Sequence, residues 1–400
     1  MRYIGIILAG GKGKRLGALT KKTPKPLLKI NEHHFLDILL YKICQYQFKK
    51  IFIICSYKSH LFVKKYHKKF FFGVLIICVI EKKPKDTGGA LFDIKKKINN
   101  DFFLFNGDTF FNINIDKFYQ SSIKSKQIVS LALTKNNNYK ENQKLNGLSL
   151  FKKKFVSFSE AKTSLMNGGI YFIKKTFLKG LQNKKTSFEN HYLKKLIFEK
   201  KVFGKIYQDY FIDIGTIKNL LWAKKTLLKQ IKFKCAFLDR DGVVNEDKGY
   251  THKQSDLKIL PGVFQGIRYL NSRKFLIIII TNQSGIGRGY YTVNKFHKFN
   301  SSLIEQLNAN RSYIDDLFYC PHHPSQGLKK FKKTCPCRKP KNGMIIQASK
   351  KWNIDLKKSF MVGDSYSDYL CAKKSKVKFV YFNKNFLKTI KQSDFFTKLI

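Results

Sequence analysis

The chain has 400 residues, more than the roughly 250–300 over which a single hydrophobic core keeps growing, so about two to three domains are expected. With 43% hydrophobic and 15% aromatic residues it can build buried cores, which excludes a disordered or collagen-like chain. Lys+Arg number 78 against 26 Asp+Glu, a formal net charge of +52, and such a charge invites a nucleic-acid-binding interpretation.

The positive charge comes almost entirely from lysine. Eight of the 78 basic residues are arginine and 70 are lysine, spread along the whole sequence. Arginine makes the bidentate contacts with guanine and phosphate that sequence-reading proteins favour, whereas scattered lysine gives a diffuse field. Lys, Phe, Ile and Asn all have A/T-rich codons, so genome composition is one explanation of the charge, and a partner such as nucleic acid or an acidic membrane surface is the other. We expect no specific nucleic-acid partner.

Neither the cysteines nor the apolar runs indicate a secreted or membrane protein. Eight cysteines in a chain this long do not form the dense pattern of a disulfide framework. The start, MRYIGIILAGG, runs into a Gly/Lys-rich loop without a small-residue cleavage site, which indicates a first strand rather than a signal peptide. The apolar runs 70–80 and 275–280 are shorter than the roughly 18–20 residues of a membrane span. We therefore expect a cytoplasmic protein without a membrane span.

Short apolar runs alternate with helical periodicity through the first half of the chain. Strands are predicted near residues 3–9, 51–56, 74–80 and 101–105, and helices near residues 34–48 and 89–98. This alternation is typical of βαβ units in a mainly parallel sheet.

The pattern starts again after a helical stretch at 216–230 and the lysine-rich junction KQIKFK (229–234). A new strand opens the second series, and the strands predicted for it lie near residues 235–239, 275–280, 316–320, 359–362 and 377–381. No Pro/Gly linker separates the two series, which favours a short helical junction. The predicted fold class is α/β, with two doubly wound domains at residues 1–230 and 231–400.

A glycine-rich loop, LAGGKGKRLG, follows the first strand. Gly10, Gly11 and Gly13 let backbone N–H groups approach a phosphate chain closely. Alone, such a loop is as often a plain tight turn, and it matches neither the Walker lysine pattern nor the dinucleotide fingerprint. Arg15 at its end and Lys25 in TPKPLL add positive charge and favour the phosphate-binding interpretation.

Two aspartates follow strands in distant parts of the first half. Asp108 lies in LFNGDTFF and Asp213 lies in FIDIGT. Ligands of α/β sheets bind at the carboxyl ends of the strands, and two carboxylates there can share one Mg²⁺ that holds a nucleoside triphosphate. Either aspartate alone would more often be a turn or N-cap residue. The segment TGGA (87–90), with Gly88, can begin a helix and adds to the phosphate-binding interpretation.

Residues 1 to about 225 resemble the sugar-1-phosphate nucleotidyltransferases. The motifs that carry the resemblance are LAGGKGKRL, PKPL, TGGAL, LFNGDTFFNI, NGGIYF and DIGT. The resemblance implies a Rossmann-like, GT-A-like domain in which a sugar 1-phosphate oxygen attacks the nucleotide α-phosphorus and pyrophosphate leaves. Positioning and electrostatics would supply the rate. Among the members, those that transfer GMP from GTP to a heptose 1-phosphate are the most similar.

The same resemblance implies roles for individual residues. The loop from Gly10 to Arg15 would cradle the triphosphate, and Lys25 would neutralise charge on the reacting phosphates. Asp108 and Asp213 would bind Mg²⁺. The sugar pocket would be lined by Asn167, Gly168 and Gly169.

Three positions depart from the family pattern. Lys14 stands where Thr is usual, and Lys85-Asp86 stands before TGGA where Leu-Gly is usual. The usual Glu-Lys pair before the Asn-Gly-Gly segment appears as EAK, which ends in Lys162 and leaves that residue open as a phosphate ligand. These departures bear on nucleotide choice more than on the chemistry, because the lost glycine belongs to the base-binding loop.

In the second half, FLDRDGVVN places two aspartates at the end of a buried strand. Asp239 is predicted to attack a phosphoryl group, and Asp241 to protonate the leaving oxygen and then help water hydrolyse the aspartyl-phosphate. Asp364 in MVGDSYSD, together with Asp239 and Asp241, is predicted to bind Mg²⁺, and Lys339 to neutralise the transition state. A DxDG motif alone also occurs in turns and calcium loops. Phosphate oxygens are expected to meet the TNQSG segment, namely Thr281, Asn282, Gln283 and Ser284.

The most specific local signal in the chain is a set of cysteines and a histidine. Cys320-Pro-His322 is followed by Cys335-Pro-Cys337, and three thiolates with one imidazole form a tetrahedral structural zinc site. His323 is the alternative imidazole ligand, and two separate buried pairs are the alternative to a metal site. Four protein ligands leave no open position, so this zinc would pin a loop rather than take part in chemistry.

Residues 234 to about 385 resemble the haloacid-dehalogenase-type phosphatases, whose domain is HAD-like and Rossmannoid. The motifs are FLDRDGVVN, KGYTH, TNQSGIGRGYYT, CPHHP, CPCRKPKNGM and MVGDS. The resemblance implies that Thr281 and Lys339 bind the phosphoryl group, that Asn245 and Arg338 contact substrate, and that Asp368 supports the Mg²⁺ ligands from behind. The zinc loop would hold Arg338 and Lys339 against the phosphate pocket.

The length of the zinc loop separates two groups of these phosphatases. Twelve residues lie between His322 and Cys335, which favours the members that act on heptose 1,7-bisphosphate. The histidinol-phosphate phosphatases, which have a shorter loop, stay open as the alternative.

Together the two halves predict a bifunctional enzyme of nucleotide-activated heptose synthesis. The phosphatase would remove the 7-phosphate of heptose 1,7-bisphosphate, and the transferase would activate the heptose 1-phosphate that results. Mg²⁺ would serve both domains, zinc would be structural, the partners would be small molecules, and a homo-oligomer is left open. The rival interpretations are the same two chemistries on another sugar phosphate and nucleotide, and a basic nucleic-acid-binding protein.

Overall fold

The computed structural model of the chain describes residues 3–135, 147–159, 165–393 and 395, with Lys14 described in its backbone only. The chain divides into two compact units, Met1–Gln230 and Ile231–Ile400. Each unit holds its own sheet.

The strands of the first unit form one large mixed sheet and two small ones. Their bounds are Tyr3–Leu8 (β1), Lys29–Ile30 (β2), His33–His34 (β3), Phe48–Cys55 (β4), Phe70–Phe71 (β5), Val74–Ile80 (β6), Phe102–Asn106 (β7), Thr109–Phe111 (β8), Val129–Thr134 (β9), Gly147–Phe151 (β10), Phe155–Ser159 (β11), Met166–Ile173 (β12), Val202–Tyr207 (β13) and Phe211–Asp213 (β14). In the described part of the chain, the large sheet has ten strands in the order β10-β11-β13-β9-β12-β7-β1-β4-β6-β5.

The pairings around β1 are parallel, as expected, whereas β12 and the β10–β11 hairpin introduce antiparallel pairings, beside which β13 pairs in parallel with β9. β1 pairs in parallel with β4 and β7, and β4 with β6. β12 is antiparallel to both of its neighbours, and β10 and β11 form a hairpin. Lys152 and Lys153 in the hairpin turn both have positive φ, 49° and 57°, as a primed turn requires. Because primed turns usually carry Asn or Gly, two lysines give no sequence signal for this hairpin.

Helices cover the faces of the first sheet, and their apolar sides fill its core. Their bounds are Ala18–Lys22 (α1), Phe35–Cys44 (α2), Ser59–Tyr66 (α3), Asp86–Ile94 (α4), Ile115–Ser125 (α5), Lys194–Phe198 (α6) and Ile217–Thr226 (α7), with a π-helical turn at Phe188–Leu193. The central strand β7 is apolar at four successive positions, Phe102 to Phe105, all buried. Such continuous burial is typical of a strand covered on both faces.

A separate two-stranded ladder prepares one site of the first unit. β8 and β14 pair antiparallel, so that Asp213 lies opposite Thr109. Asp108 directly precedes β8. Two aspartates more than one hundred residues apart are thereby brought to the same edge.

The second unit has a five-stranded sheet in which every pairing is parallel. Its strands are Lys234–Leu238 (β15), Phe275–Asn282 (β16), Asp316–Cys320 (β17), Phe360–Gly363 (β18) and Lys378–Tyr381 (β19). The described residues give the order β17-β16-β15-β18-β19. The chain thus adds strands on one side of β15 first and then on its other side. Ligands of doubly wound sheets bind at such a switch point, beyond the carboxyl ends of the strands.

The helices of the second unit complete the predicted α/β alternation. Their bounds are Val263–Ser272 (α8), Ser284–Gly287 (α9), Val293–Ala309 (α10), Gly343–Trp352 (α11), Tyr366–Lys374 (α12) and Phe386–Gln392 (α13). Among the described residues, none of the helices is long and apolar enough to cross a bilayer.

A buried carboxylate of α2 accepts hydrogen bonds from α3, and its removal tests how much these bonds stabilise the first unit. Asp37 accepts a hydrogen bond from Tyr66 Oη at 2.8 Å and from Lys65 Nζ at 2.6 Å, and Tyr66 is fully buried. Asp37→Ala would strand the Tyr66 hydroxyl in the core, so we expect the free energy of unfolding to fall by roughly 2–4 kcal/mol. Urea unfolding followed through Trp222, in a Trp352→Phe background, measures the first unit.

The control for that substitution is an exposed ion pair of the same unit. Glu199 meets Lys201 at 2.7 Å on the surface, where such pairs add little stability, so Glu199→Ala should leave the unfolding midpoint unchanged. Equal midpoints for the two variants would show that the Asp37 network does not stabilise the fold.

Candidate active sites

The glycine-rich loop of the first unit is tightly packed on one side and open on the other. A Cβ atom at Gly10 would lie 2.8 Å from Glu81 Oε2, and one at Gly13, whose φ is +65°, would lie 3.1 Å from Lys25 Cβ. At Gly11 nothing lies within 4 Å of that position. The loop therefore keeps its glycines for close packing and a left-handed turn, while its middle faces open space that a ligand can use.

Lys25 is the centre of the first site. Its Nζ atom lies 2.6 Å from Asp108 Oδ2 and 3.3 Å from Asp213 Oδ1, and the residue is 6% exposed. Burial raises the pKa of Asp213, and the nearby Asp108 carboxylate raises it further. Two carboxylates that repel each other around one cation position are a donor set that fits Mg²⁺.

Arg15 reaches the same place from the glycine-rich loop. A Cβ atom at Gly215 would lie 3.0 Å from Lys25 Nζ and 3.1 Å from Arg15 Nη2. The Gly215 N–H donates a hydrogen bond to Asp213 Oδ1. The structure thus brings Arg15, Lys25 and both aspartates close together.

The Asn-Gly-Gly segment is an irregularity in β12. The pairing of β12 with β9 shifts between Asn167 and Tyr171. Asn167 donates to Tyr171 Oη at 2.6 Å and accepts from the Gly169 N–H at 2.9 Å, and Gly169 has a φ of +69°. A Cβ atom at Gly168 would lie 2.5 Å from the Phe111 ring. The segment is a β-bulge, and bulges commonly shape binding sites.

The segment around TGGA shows how one departure from the family pattern is accommodated. Asp86, where the family usually has Gly, has a φ of +61°, a left-handed conformation that Asp tolerates better than most residues. Its carboxylate accepts a hydrogen bond from the Thr87 N–H at 2.8 Å. The Gly88 N–H donates to the Thr186 carbonyl at 2.7 Å. The loop therefore keeps the left-handed backbone without the glycine.

Sequence reasoning missed Glu189, on the π-helical turn. Thr87 Oγ1 donates to Glu189 Oε2 at 2.9 Å and accepts from the Phe188 N–H at 2.8 Å. Burial raises the pKa of Glu189, with repulsion from Asp86 and Asp108 adding to it. No motif marks this residue, because its place depends on the turn packing against α4. Of the other two departures, Lys14 is described in its backbone only and Lys162 lies outside the described residues.

The second site is built on another buried lysine. Lys339 Nζ lies 2.7 Å from Asp239 Oδ1 and 2.7 Å from Asp368 Oδ1, and it donates to the Ile280 carbonyl at 3.2 Å. Burial opposes the charge of Lys339, but attraction to the two carboxylates outweighs it and raises the pKa of the lysine. Burial also raises the pKa of Asp239, to about 7.

An acidic group surrounds this lysine and fits a divalent cation. Carboxylate oxygens of Asp239, Asp364 and Asp368 all lie within 4.8 Å of one another. Burial and the neighbouring Asp368 raise the pKa of Asp364. Asp368, predicted only to support the ligands from behind, is fully buried and lies in the group itself.

The structure does not bring Asp241 into that group, although the sequence placed it among the Mg²⁺ ligands. Its Oδ1 accepts hydrogen bonds from Arg240 Nε at 3.0 Å and Asn245 Nδ2 at 2.9 Å. Its Oδ2 accepts from Gln283 Nε2 at 2.8 Å. The physical reason is the guanidinium next to it in sequence, which engages both carboxylate oxygens.

The TNQSG segment contains buried polar groups, and one of its side chains forms two hydrogen bonds with the backbone of Lys339. Asn282 Oδ1 accepts from the Lys339 N–H at 3.0 Å, and Asn282 Nδ2 donates to the Lys339 carbonyl at 3.1 Å. Thr281 is 1% exposed, and its Oγ1 accepts from Gln283 Nε2. Ser284 begins α9. The side chain of Asn282 therefore holds the lysine backbone in place.

The cysteine cluster has the composition and spacing of a tetrahedral metal site. The Sγ atoms of Cys320, Cys335 and Cys337 are 3.0–3.4 Å apart, and His322 Nδ1 lies 3.5 Å from Cys337 Sγ and 3.6 Å from Cys320 Sγ. Zinc–sulfur bonds of about 2.3 Å imply sulfurs roughly 3.8 Å apart around one ion. The sulfurs are too far apart for disulfides, and the cluster fits zinc after a small expansion.

The imidazole in this cluster is that of His322, while His323 lies aside. His323 Nε2 lies 3.3 Å from Arg288 Nη2. Arg338 donates to the His322 carbonyl at 3.1 Å. The cluster therefore connects directly to the backbone that carries Arg338 and Lys339.

The comparisons with known proteins divide at the same place as the chain. Residues 4–230 match the family Nucleotidyl transferase, and residues 234–397 match the family Polynucleotide kinase 3 phosphatase. The D-glycero-beta-D-manno-heptose-1,7-bisphosphate 7-phosphatase of Haemophilus ducreyi is 40% identical over 146 residues, which is 36% of this chain and 80% of that protein. The enzyme of the same name from Haemophilus influenzae is 41% identical over 145 residues, 36% of this chain and 78% of that protein.

Solved structures resemble the first unit. A putative glucose-1-phosphate thymidylyltransferase from Bacillus anthracis covers 57% of this chain and 97% of its own, with a TM-score of 0.51 and 22% identity, a likeness that shows the fold. HddC from Yersinia pseudotuberculosis covers 56% of this chain and 99% of its own, with a TM-score of 0.49 and 26% identity. The chain thus belongs to the nucleotidyl transferase family through residues 4–230, and its second unit belongs to the family of the heptose bisphosphate phosphatases.

Proposed function

We propose that this chain makes a nucleotide-activated heptose in two steps. Its phosphatase unit would hydrolyse the 7-phosphate of D-glycero-D-manno-heptose 1,7-bisphosphate, and its transferase unit would join the resulting heptose 1-phosphate to GMP from GTP. The observation that carries the proposal is the fusion itself. A phosphatase unit whose relatives are named for the bisphosphate is joined to a unit of the Nucleotidyl transferase family, whose motifs resemble those of the sugar-1-phosphate nucleotidyltransferases.

In the transferase unit, the reaction needs charge neutralisation and alignment rather than a covalent intermediate. The sugar phosphate oxygen would attack the α-phosphorus in line with the departing pyrophosphate, as the bond from the α-phosphorus to the bridging oxygen breaks. Arg15 and Lys25, which converge at Gly215, would bind the phosphate oxygens on which charge develops. Asp108 and Asp213 would hold Mg²⁺, and when bound it would neutralise the triphosphate.

The binding of the other substrates follows from the same geometry. Gly11 faces open space, and its N–H would approach the triphosphate. The bulge at Asn167, Gly168 and Gly169 and the loop at Gly88 would line the sugar and base side.

In the phosphatase unit, an Asp239 oxygen would attack the 7-phosphorus while the bond from phosphorus to the sugar oxygen breaks. Asp241 would give its proton to that oxygen and would later take a proton from the water that hydrolyses the aspartyl-phosphate. Lys339 and Thr281 would hold the phosphoryl oxygens, and Asn245 and Arg338 would contact the substrate. Asp239 and Asp364, with Asp368 beside them, would hold Mg²⁺, whose charge would favour an ionised nucleophile.

We place the reaction in the cytoplasm, because nucleoside triphosphates and sugar phosphates are its substrates. Their shared feature is negative charge, so a chain with a net charge of +52 can concentrate them near its surface. We propose no specific nucleic-acid partner, and the assembly state does not enter the mechanism of either unit.

Transfer is tested by pyrophosphate release from each of the four common nucleoside triphosphates with heptose 1-phosphate. GTP should give the highest kcat/KM, and Lys25→Met should lower it by about a hundredfold or more, because a buried cation at the reacting phosphates is lost. Lys22→Met, at an exposed lysine of α1, should have no effect. Preference for another nucleotide would correct the GMP assignment, and no release with any nucleotide would refute transfer.

Hydrolysis is tested by replacing the nucleophile. Asp239→Asn should abolish phosphate release from heptose 1,7-bisphosphate while leaving transfer to supplied heptose 1-phosphate unchanged, since each unit has its own site. Because the second family is named for polynucleotides, a 3′-phosphorylated oligonucleotide is the competing substrate. A higher kcat/KM on the oligonucleotide would favour a nucleic-acid function instead.

Zinc is tested by its removal. Cys335→Ser should lower bound zinc from about one ion per chain to a small fraction, and should reduce phosphate release without affecting transfer, because the loop that carries Arg338 and Lys339 loses its anchor. Cys371→Ala removes a buried thiol of the same unit outside the cluster and should retain zinc. A Cys335→Ser protein with full zinc content would contradict this assignment.

A further inference from the structure

The carboxylate of Asp241 is held by a network that reaches beyond the residues placed in the phosphatase site so far. Arg240, next to it in sequence, is fully buried. Its Nη2 atom lies 2.8 Å from both Asp241 oxygens and donates to the Thr251 carbonyl at 2.7 Å. The guanidinium carbon lies 4.7 Å from the centre of the Phe299 ring. A fully buried arginine is costly unless its charge is paired, and the pairing here is with Asp241.

A second contact reaches Asp241 through Gln283. Tyr291 is 4% exposed, and its hydroxyl donates to Gln283 Oε1 at 2.6 Å. With Oε1 held by that hydroxyl, Nε2 of the same amide donates to Asp241 Oδ2 and to Thr281 Oγ1, both at 2.8 Å. The Tyr291 ring itself stacks on His252, with centroids 4.3 Å apart. The tyrosine is thus rigid and sets the direction of the amide.

The two oxygens of Asp241 are not equivalent. Oδ1 accepts from three donor atoms, Arg240 Nε, Arg240 Nη2 and Asn245 Nδ2. Oδ2 accepts from Gln283 Nε2 and shares the Nη2 donor with Oδ1. Oδ1 thus has three donors for its two lone pairs, whereas Oδ2 has Gln283 Nε2 and only a share of Nη2, so Oδ2 is the less occupied of the two oxygens.

We propose that Arg240 and Tyr291 are positioning residues that make Oδ2 of Asp241 the proton-carrying oxygen of the phosphatase. Arg240 occupies Oδ1, and Tyr291 acts through Gln283 to direct Oδ2. This inference rests on the proposed role of Asp241 as the acid and base. As the phosphorus–oxygen bond breaks, the electron pair stays on the sugar oxygen, which takes the proton from Oδ2. The water that later attacks phosphorus returns a proton to the same oxygen.

The leaving group distinguishes this role from a merely structural one. A sugar alkoxide is a strong base and must be protonated as it leaves, whereas 4-nitrophenolate is stable without a proton, so only the first depends on the acid. Phosphate release is therefore measured with both heptose 1,7-bisphosphate and 4-nitrophenyl phosphate. Tyr291→Phe, which deletes one oxygen atom, should lower kcat about tenfold on the sugar substrate and less than twofold on the aryl substrate, with both KM values unchanged. The tenfold figure corresponds to the loss of about one oriented hydrogen bond.

Arg240→Lys is a more severe substitution for the same test, since lysine keeps the positive charge but lacks the planar set of guanidinium N–H donors. It should lower kcat on the sugar substrate about a hundredfold and spare the aryl substrate. Replacing a fully buried arginine could disturb the fold, so the tertiary structure of the variant is checked by near-UV circular dichroism. The positioning role is therefore decided by the result with Tyr291→Phe. Tyr381→Phe removes the hydroxyl of an exposed tyrosine in the same unit and should change neither rate.

The outcomes separate this inference from the function on which it rests. Equal losses on both substrates, or no loss on either, in Tyr291→Phe would overturn the positioning role and leave the phosphatase assignment standing. Asp239→Asn abolishes release from both substrates if the nucleophile is assigned correctly. Failure of that result would refute the phosphatase mechanism itself.

Discussion

Each site depends on a lysine ammonium group buried between carboxylates. Of the lysines that the structure describes, only Lys25 and Lys339 are buried, and each lies between two aspartates from distant segments, Asp108 and Asp213 in one unit and Asp239 and Asp368 in the other. A buried ammonium group cannot stay charged without such partners. The two carboxylates repel each other, and the cation between them offsets that repulsion. The pairing therefore constrains the lysine and both aspartates at once.

Burial of these ion pairs serves chemistry rather than stability. Desolvation offsets most of the attraction in a buried pair, so an apolar replacement of the same shape often stabilises a protein. In the proposed function the pairs would supply charge fixed in position beside the phosphate oxygens, and such preorganised charge is usually the largest single contribution to phosphoryl transfer. The other lysines that the structure describes are half-buried or exposed, and together they add a diffuse field.

Neighbouring residues hold these charged side chains in fixed orientations. Asn282 holds the backbone of Lys339 on both sides, and the cysteine cluster connects to the preceding residue through the His322 carbonyl. Arg240 engages the carboxylate of Asp241, so that Asp239 and Asp241 face different neighbours. In the first unit the β8–β14 ladder instead brings Asp108 and Asp213 to the same edge.

The sequence by itself determined the two α/β units, their families and most of the charged residues, because strand-end motifs and glycine loops depend on local backbone geometry. It predicted Asp108, Asp213, Asp239, Lys25 and Lys339 for this reason. Tertiary structure alone decided the antiparallel pairings of the first sheet, the place of Glu189, the inclusion of Asp368 and the exclusion of Asp241 from the acidic group. The only sequence hint for that exclusion was Arg240, a rare arginine between two aspartates. These features depend on which side chains meet across distant segments, and one-dimensional spacing does not contain that information.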